Sequence, residues 1–301
     1  MNFPLLARGV VEASRDAATS KLPKGLYVVA TPIGNLGDIS LRALWVLSQI
    51  DRVACEDTRV SGALLAHYGI KKPLLPYHDH NADKARPQIM QKLQDGESVA
   101  LVSDAGMPLV ADPGFKLVRA CREAGYPVTV IPGANAALAA LAGSGLPVDP
   151  FYFAGFPPPK SAARRKWIAA FANVPSSLLI YEAPQRVAAT LADLEAVLGA
   201  ARPAAIAREL TKLFEETIRS TLGELAAHFN VNEARGEFVL IVGPPTKAPP
   251  VAEMASLDDL LRTHLRVHSL RDAVAVVSAE TGIKKAEVYA RALWLKGKSS
   301  Q

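Results

Sequence analysis

The stretch Val99–Gly114, VALVSDAGMPLVADPG, decides the architecture. Its first residues, Val99, Ala100, Leu101 and Val102, are apolar without alternation, as in a short strand buried on both faces of a parallel sheet. Ser103 and Asp104 end the strand. Gly106 permits the bend that follows, because glycine takes positive φ at no steric cost. Met107, Pro108 and Leu109 form an apolar patch beyond the bend. Asp112 and Pro113 are expected as cap and first position of a helix running through Phe115 to Glu123. A carboxylate and a glycine turn at the carboxyl end of a buried parallel strand mark the place where open α/β sheets bind ligands.

Upstream, Leu26–Thr31 reads as another buried strand, and Pro32–Asp38 as a glycine-bearing loop that lets the backbone approach a ligand. Asp38 or Ser40 caps the helix Leu41–Ser48. The loop is not G-x-G-x-x-G, and no such motif, Walker A motif or H-E-x-x-H occurs in the chain. A third strand, Arg52–Glu56, ends in Glu56, Asp57, Thr58 and Arg59. This polar cluster suits the rim of a cleft, with Arg59 placed to meet a phosphate. Tyr77–Asn81 contains His78, Asp79 and His80. Without a third ligand cluster at suitable spacing it reads as a polar loop facing substrate, and no metal site is expected. Downstream, the strand Val128–Ile131 runs into Pro132–Pro147. The helix there is nearly all alanine, leucine and glycine, suited to close packing or to a ligand lying against it, and the amides of Gly133–Asn135 suit an anion.

Leu146–Pro150 separates a first α/β domain, 23–148, from a second, 149–246. Phe151–Gly155, Leu178–Tyr181, Ala204–Arg208, Phe214–Thr221 (an edge strand) and Gly236–Val242 are the strands of the second. Its polar residues again collect at strand ends, Glu182 and Arg186 among them. Lys160, Arg164, Arg165 and Lys166 form a basic cluster beside a proline-rich loop, a candidate phosphate contact. Residues 247–256 read as a linker, and 257–301 as a small helical domain. Helices Ser256–Leu265, Ser269–Thr281 and Lys284–Leu295 have helix-turn-helix spacing, with Lys284, Lys285 and Arg291 available to nucleic acid or, equally, a bundle used for packing. Residues 1–22 read as a flexible extension.

Composition bounds the alternatives. Half of the 301 residues are apolar and 21% are charged, as in a globular protein with a large core. Cys55 and Cys121 fall in expected buried elements, which fits a reducing cytoplasm. No apolar run reaches the roughly 18 residues of a membrane span, and no signal peptide is read. A net charge of +5 leans towards an anionic partner.

TPIGNLGDIS, EDTR, HDHN, SDAGMPLVADPG, YEAPQRV, ARELTK and GEFVLIVG, in this order and spacing, carry a resemblance to the bacterial ribosomal RNA small subunit methyltransferase I family of the tetrapyrrole-methylase superfamily. It covers about Leu22 to Gly297. The resemblance implies a two-domain α/β fold with S-adenosylmethionine in the interdomain cleft, a small C-terminal helical domain and a homodimer. It implies methylation of a cytidine 2′-hydroxyl in the decoding region of 16S rRNA, on the 30S subunit. The cofactor contacts it implies are Pro32, Ile33, Gly34, Ser103, Asp104, Gly106, Met107, Leu109, Val110, Asn135, Ala136, Tyr181 and Ala207. Two positions depart from the family pattern: Met107 stands where relatives have threonine, losing a hydroxyl, and Ala134-Asn135 replaces a proline followed by serine or cysteine.

A ribose hydroxyl is a weak acid and needs its proton taken during attack. Asp104, Asp57 and Glu182 are the expected carboxylates, with Asp104 first. Arg59, His78, Lys160, Arg164, Arg165, Arg186, Lys284 and Lys285 are the expected RNA contacts. The competing readings are a sister methylase acting on a tetrapyrrole or a diphthamide precursor, a non-catalytic RNA-binding relative, and an unrelated nucleotide-using α/β enzyme.

Overall fold

The computed structural model describes residues 9, 22–245, 250–265, 268–281, 283 and 285–298. The expected extension at 1–22, apart from Gly9 and Leu22, lies outside the described residues, and so do Lys284 and the start of the expected linker. The chain divides into two compact units after Pro245.

The first unit holds two five-stranded sheets. In the first sheet, β1 (Gly25–Val29), β2 (Arg52–Cys55), β3 (Leu74–Pro76), β4 (Ser98–Val102) and β5 (Val128–Ile131) run parallel in the order β3-β2-β4-β1-β5. Helices α1 (Leu41–Gln49), α2 (Thr58–His67), α3 (Ala82–Gln94) and α4 (Phe115–Glu123) connect them. Both faces are covered, which is why β4 reads as an uninterrupted apolar run. Ala100 and Val102 pack with Leu44, Leu47 and Leu65 of α1 and α2. Val99 and Leu101 face the other way, onto Ile89, Leu93 and Leu117 of α3 and α4. Ser40 caps α1, its hydroxyl accepting from the Ala43 amide at 3.0 Å.

α4 begins differently from the expectation. Its cap is Gly114, at φ 139°, and no side chain caps the helix. A Cβ at Gly114 would come 2.8 Å from Leu101 Cδ2, so the chain enters the helix through a conformation and a gap that suit glycine. Asp112 is thereby released from capping.

The second sheet contains β6 (Phe151–Gly155), β7 (Ser177–Glu182), β8 (Pro203–Arg208), β9 (Glu216–Thr221) and β10 (Phe238–Val242), in the order β6-β7-β10-β8-β9. Only the β6–β7 pair is parallel. One face is covered by α6 (Ser161–Ala169), α7 (Val187–Leu198) and α8 (Leu222–Val231). The other receives α5 (Ala136–Gly143), the helix that follows the last strand of the first sheet. Ala137, Ala140 and Leu141 of α5 pack on Leu179, Ala205, Val239 and Ile241. The alanine-rich sequence of α5 thus lets a helix of one half lie close against the sheet of the other.

The second unit is a three-helix bundle, α9 (Pro250–Leu265), α10 (Leu270–Thr281) and α11 (Lys285–Lys298). Leu257, Leu261, Val274, Val277, Val288 and Ala292 form its core. α9 starts at Pro250, inside the expected linker; proline is tolerated at a helix's first turn because the amide it lacks would be unpaired there. Arg291, expected to face nucleic acid, is partly buried and donates from Nε and Nη2 to the Asp258 carboxylate, at 2.7 and 2.9 Å.

Candidate active site

Three loops at the carboxyl ends of β1, β4 and β5 make one side of the site. The Thr31 and Gly106 backbones exchange hydrogen bonds at 2.9 and 3.2 Å. The Thr31 hydroxyl donates to the Ser103 carbonyl at 3.1 Å. A Cβ on Gly133 would come 2.8 Å from Ala30 Cβ, so the β5 loop lies hard against β1. The segment between β4 and α4 takes left-handed backbone at Gly106 (φ 81°), Leu109 (72°) and Ala111 (65°). Two of these are not glycine, and such strain persists where the surroundings fix it, commonly at functional sites.

The opposite side comes from the second sheet. Phe156, Tyr181, Ala207, Leu210, Phe238 and Val239 face Ile33, Gly106, Met107, Val110 and Ala136 across a mainly apolar cavity of about 370 Å³, within the range of small-molecule sites. Tyr181 ties the two sides together: its hydroxyl accepts from the Ala137 amide at 3.1 Å. Together with the Asn135 side chain, which accepts from Leu138 N at 3.0 Å, this occupies two amides of the α5 amino terminus. Asn35 N also donates to the Thr211 hydroxyl at 3.0 Å. Lys212 lies over Gly34 and bridges Glu209 (2.8 Å) and Glu237 (3.0 Å), the latter on the cavity wall.

A second, open cleft of about 440 Å³ is rimmed by Glu56, Asp57, Thr58, His78, His80 and Asp104. Asp104 accepts from the Asp57 amide at 3.1 Å. Asp57 caps α2 and pairs with Arg59 at 2.6 Å; the Arg59 guanidinium holds its carboxyl down to about 2. Glu56 is raised, by burial first and then by the charges of Asp104 and Asp79. Asp112 lines the apolar cavity. Burial pushes its carboxyl up to about 6 against the pull of the Ser103 hydroxyl, and the charges of Glu56, Asp104 and Asp79 add to the rise. Among the described residues, no group of metal-ligating side chains is assembled.

Among the expected cofactor contacts, Ile33, Gly106, Met107, Val110, Asn135, Ala136, Tyr181 and Ala207 meet at the cavity. Pro32, Gly34, Ser103, Asp104 and Leu109 do not line it. Ser103 is buried beneath it, donating towards the Ala105 and Gly106 carbonyls, and Leu109 packs with the core under α3 and α4. Glu182 lines the cavity, but its side chain is fully buried. Its oxygens accept from Thr190 Oγ1 at 2.6 Å and its neighbour's amide at 2.9 Å, and Arg186 lies at 3.2 Å.

The expected RNA contacts scatter. Lys160 and Lys285 are exposed, Arg59 is exposed but paired, and His78 sits on the open cleft. Arg165 is half exposed and bonded to Asp193. Arg164 is buried, 2.6 Å from the same carboxylate, so it serves the α6–α7 packing rather than the surface. Arg186 donates to the Pro157 carbonyl at 2.6 Å and holds the proline loop. Asp112, Phe156, Leu210, Glu237, Phe238 and Val239 line the cavity without having been expected there. In sequence the last two belong to an apolar strand indistinguishable from core, and Asp112 imitates a helix cap.

Residues 25–226 match the family Tetrapyrrole (Corrin/Porphyrin) Methylases, and residues 251–296 match the RsmI C-terminal HTH domain. The chain is 47% identical over 281 residues to a ribosomal RNA small subunit methyltransferase I of Mesorhizobium japonicum, spanning 93% of this chain and 95% of that protein. It is 46% identical over 281 residues to the one of Pseudomonas aeruginosa, spanning 91% and 98%. Uroporphyrin-III-C-methyltransferase from Thermus thermophilus shares the fold, with a TM-score of 0.53 at 21% identity over 73% of this chain and 94% of that one.

Proposed function

The chain belongs to the ribosomal RNA small subunit methyltransferase I family, within the tetrapyrrole methylases, and from that premise we propose that it methylates the 2′-hydroxyl of a cytidine in the decoding region of 16S rRNA. It is an S-adenosylmethionine-dependent methyltransferase acting on rRNA. The observation that carries this reading is a mainly apolar cavity beside a more open cleft rimmed by charged side chains, the two joined through consecutive residues Asp104 and Ala105.

The cavity fits the cofactor. Its volume suits a nucleoside with a short side chain. Small residues, Gly106, Ala136 and Ala207, leave room along its walls, and a Cβ on Gly106 would approach Ile33 to 3.1 Å. Ile33, Met107, Val110, Asn135, Tyr181 and Ala207 would hold the cofactor. Met107 supplies apolar wall. The bound group supplies a methyl already activated on a sulfonium. The chain therefore has to orient the acceptor, exclude water and receive a proton. The tie from Tyr181 to α5 serves exclusion. Lys160, Arg165, Lys285 and Arg59 are exposed cations suited to the RNA backbone, with His78 at the cleft where a ribose would enter. The acceptor is the assembled 30S subunit, and the enzyme acts as a homodimer.

Labelled S-adenosylmethionine offered with unmodified 30S subunits, naked 16S rRNA, a tetrapyrrole and an elongation-factor diphthamide precursor tests this reading. Transfer to 30S above the other three supports it; transfer to either small-molecule or protein acceptor in preference overturns it.

A further inference from the structure

We propose that Asp112 is the catalytic base, taking the proton of the acceptor hydroxyl as the methyl is transferred; this rests on the ribose reading above. Asp112 lines the apolar cavity, and its charge reaches Tyr181 on the facing wall. It also feels Glu56, Asp104 and Asp79 around the open cleft. The loop that carries it has Asp104 on the open cleft and Ala105, Gly106, Val110 and Asp112 on the cavity, so this one segment joins the space for a held methyl to the cleft through which a hydroxyl would enter.

The other two carboxylates that line the cavity are committed: Glu182 to Thr190, its neighbour's amide and Arg186, and Glu237 to Lys212. Glu56, Asp57 and Asp104 line the open cleft instead. Among the described residues no cation pairs with Asp112. The left-handed turns at Leu109 and Ala111 set the residue in place, a local cost that helix capping would not require.

The chemistry suits the position. Apolar burial and the like charges of Glu56, Asp79 and Asp104 make the carboxylate a stronger base than a solvated one, yet leave it ionised at neutral pH. In the step, the O2′–H bond breaks with its proton passing to Asp112. The oxygen's freed pair forms the O–CH3 bond, and the C–S bond breaks with its electrons left on sulfur as a neutral thioether.

The test compares wild type, Asp112→Asn and Asp112→Glu in single-turnover transfer to 30S subunits, with S-adenosylhomocysteine binding measured by calorimetry. The proposal expects Asp112→Asn to slow transfer at least ~100-fold while affinity for S-adenosylhomocysteine stays within about threefold. Asp112→Glu should recover part of the rate. The wild-type rate should rise about tenfold per pH unit below about pH 6 and level off above it. Asp112→Asn transfer within about tenfold of wild type overturns the proposal, as does a parallel loss of S-adenosylhomocysteine binding, which would make Asp112 an anchor. If Asp112→Asn does not fold, the wild-type profile decides, and a flat profile from pH 5 to 8 overturns the proposal. A wild-type product methylated elsewhere than on ribose overturns the ribose reading; a ribose-methylating wild type with unimpaired Asp112→Asn overturns Asp112 alone.

Discussion

At Asp112 a carboxylate is kept where water alone would not keep it, and stability should register this. Its pKa is raised on folding, so the folded state binds the proton more tightly than the unfolded chain. The protonated form's advantage is fully present below the unfolded value near 3.8 and is lost as pH rises through about 6. Replacing the carboxyl by an amide removes that loss. Asp112→Asn should therefore be more stable than wild type at pH 8, by about 1 kcal/mol after allowing for partial exposure, with the advantage gone by about pH 3, below the unfolded value; urea unfolding at the two pH values checks this. Greater stability with lost turnover is the trade-off expected of a working residue. The sequence showed Asp104 readily, because a polar residue ending an apolar strand is a local signal. It hid Asp112, because Asp-Pro before an amphipathic run is also what a helix cap looks like. Only the φ of Gly114 and the burial around Asp112 separate the two.

Among the elements, α5 does the most to hold the site, since it follows the first sheet and packs on the second. Its start is fastened by the Asn135 side chain on Leu138 N and by Tyr181 on Ala137 N. Asn135→Ala should destabilise the first unit by about 1 kcal/mol, the usual worth of an N-cap, and weaken S-adenosylhomocysteine binding through loss of a wall; thermal unfolding with and without ligand separates the two effects. The strands were legible because both faces of the first sheet are buried and the edge strand of the second alternates. The basic run on α6 divides, because composition does not say which way a side chain turns: Arg164 meets Asp193 within the core, whereas Arg165 meets it near the surface. The early start of α9 was hidden by prolines that also suit a linker.

For the molecule as a whole, the two units have separate cores, and every residue lining the cavity proposed for the cofactor precedes residue 246. A chain ending at Pro245 should bind S-adenosylhomocysteine as the full chain does. Its affinity for 30S subunits should fall at least about tenfold through loss of cations such as Lys285, read by filter binding at matched salt. No helix among the described residues is long and apolar enough to cross a membrane. The measurement that most directly tests the account is the position of the transferred methyl. 16S rRNA methylated within 30S subunits is hydrolysed in alkali, which cleaves beside every free 2′-hydroxyl. The label is expected to survive in a single alkali-stable dinucleotide carrying a methylated cytidine ribose from the decoding region. Label released as an ordinary mononucleotide, with the methyl on a base, would contradict it.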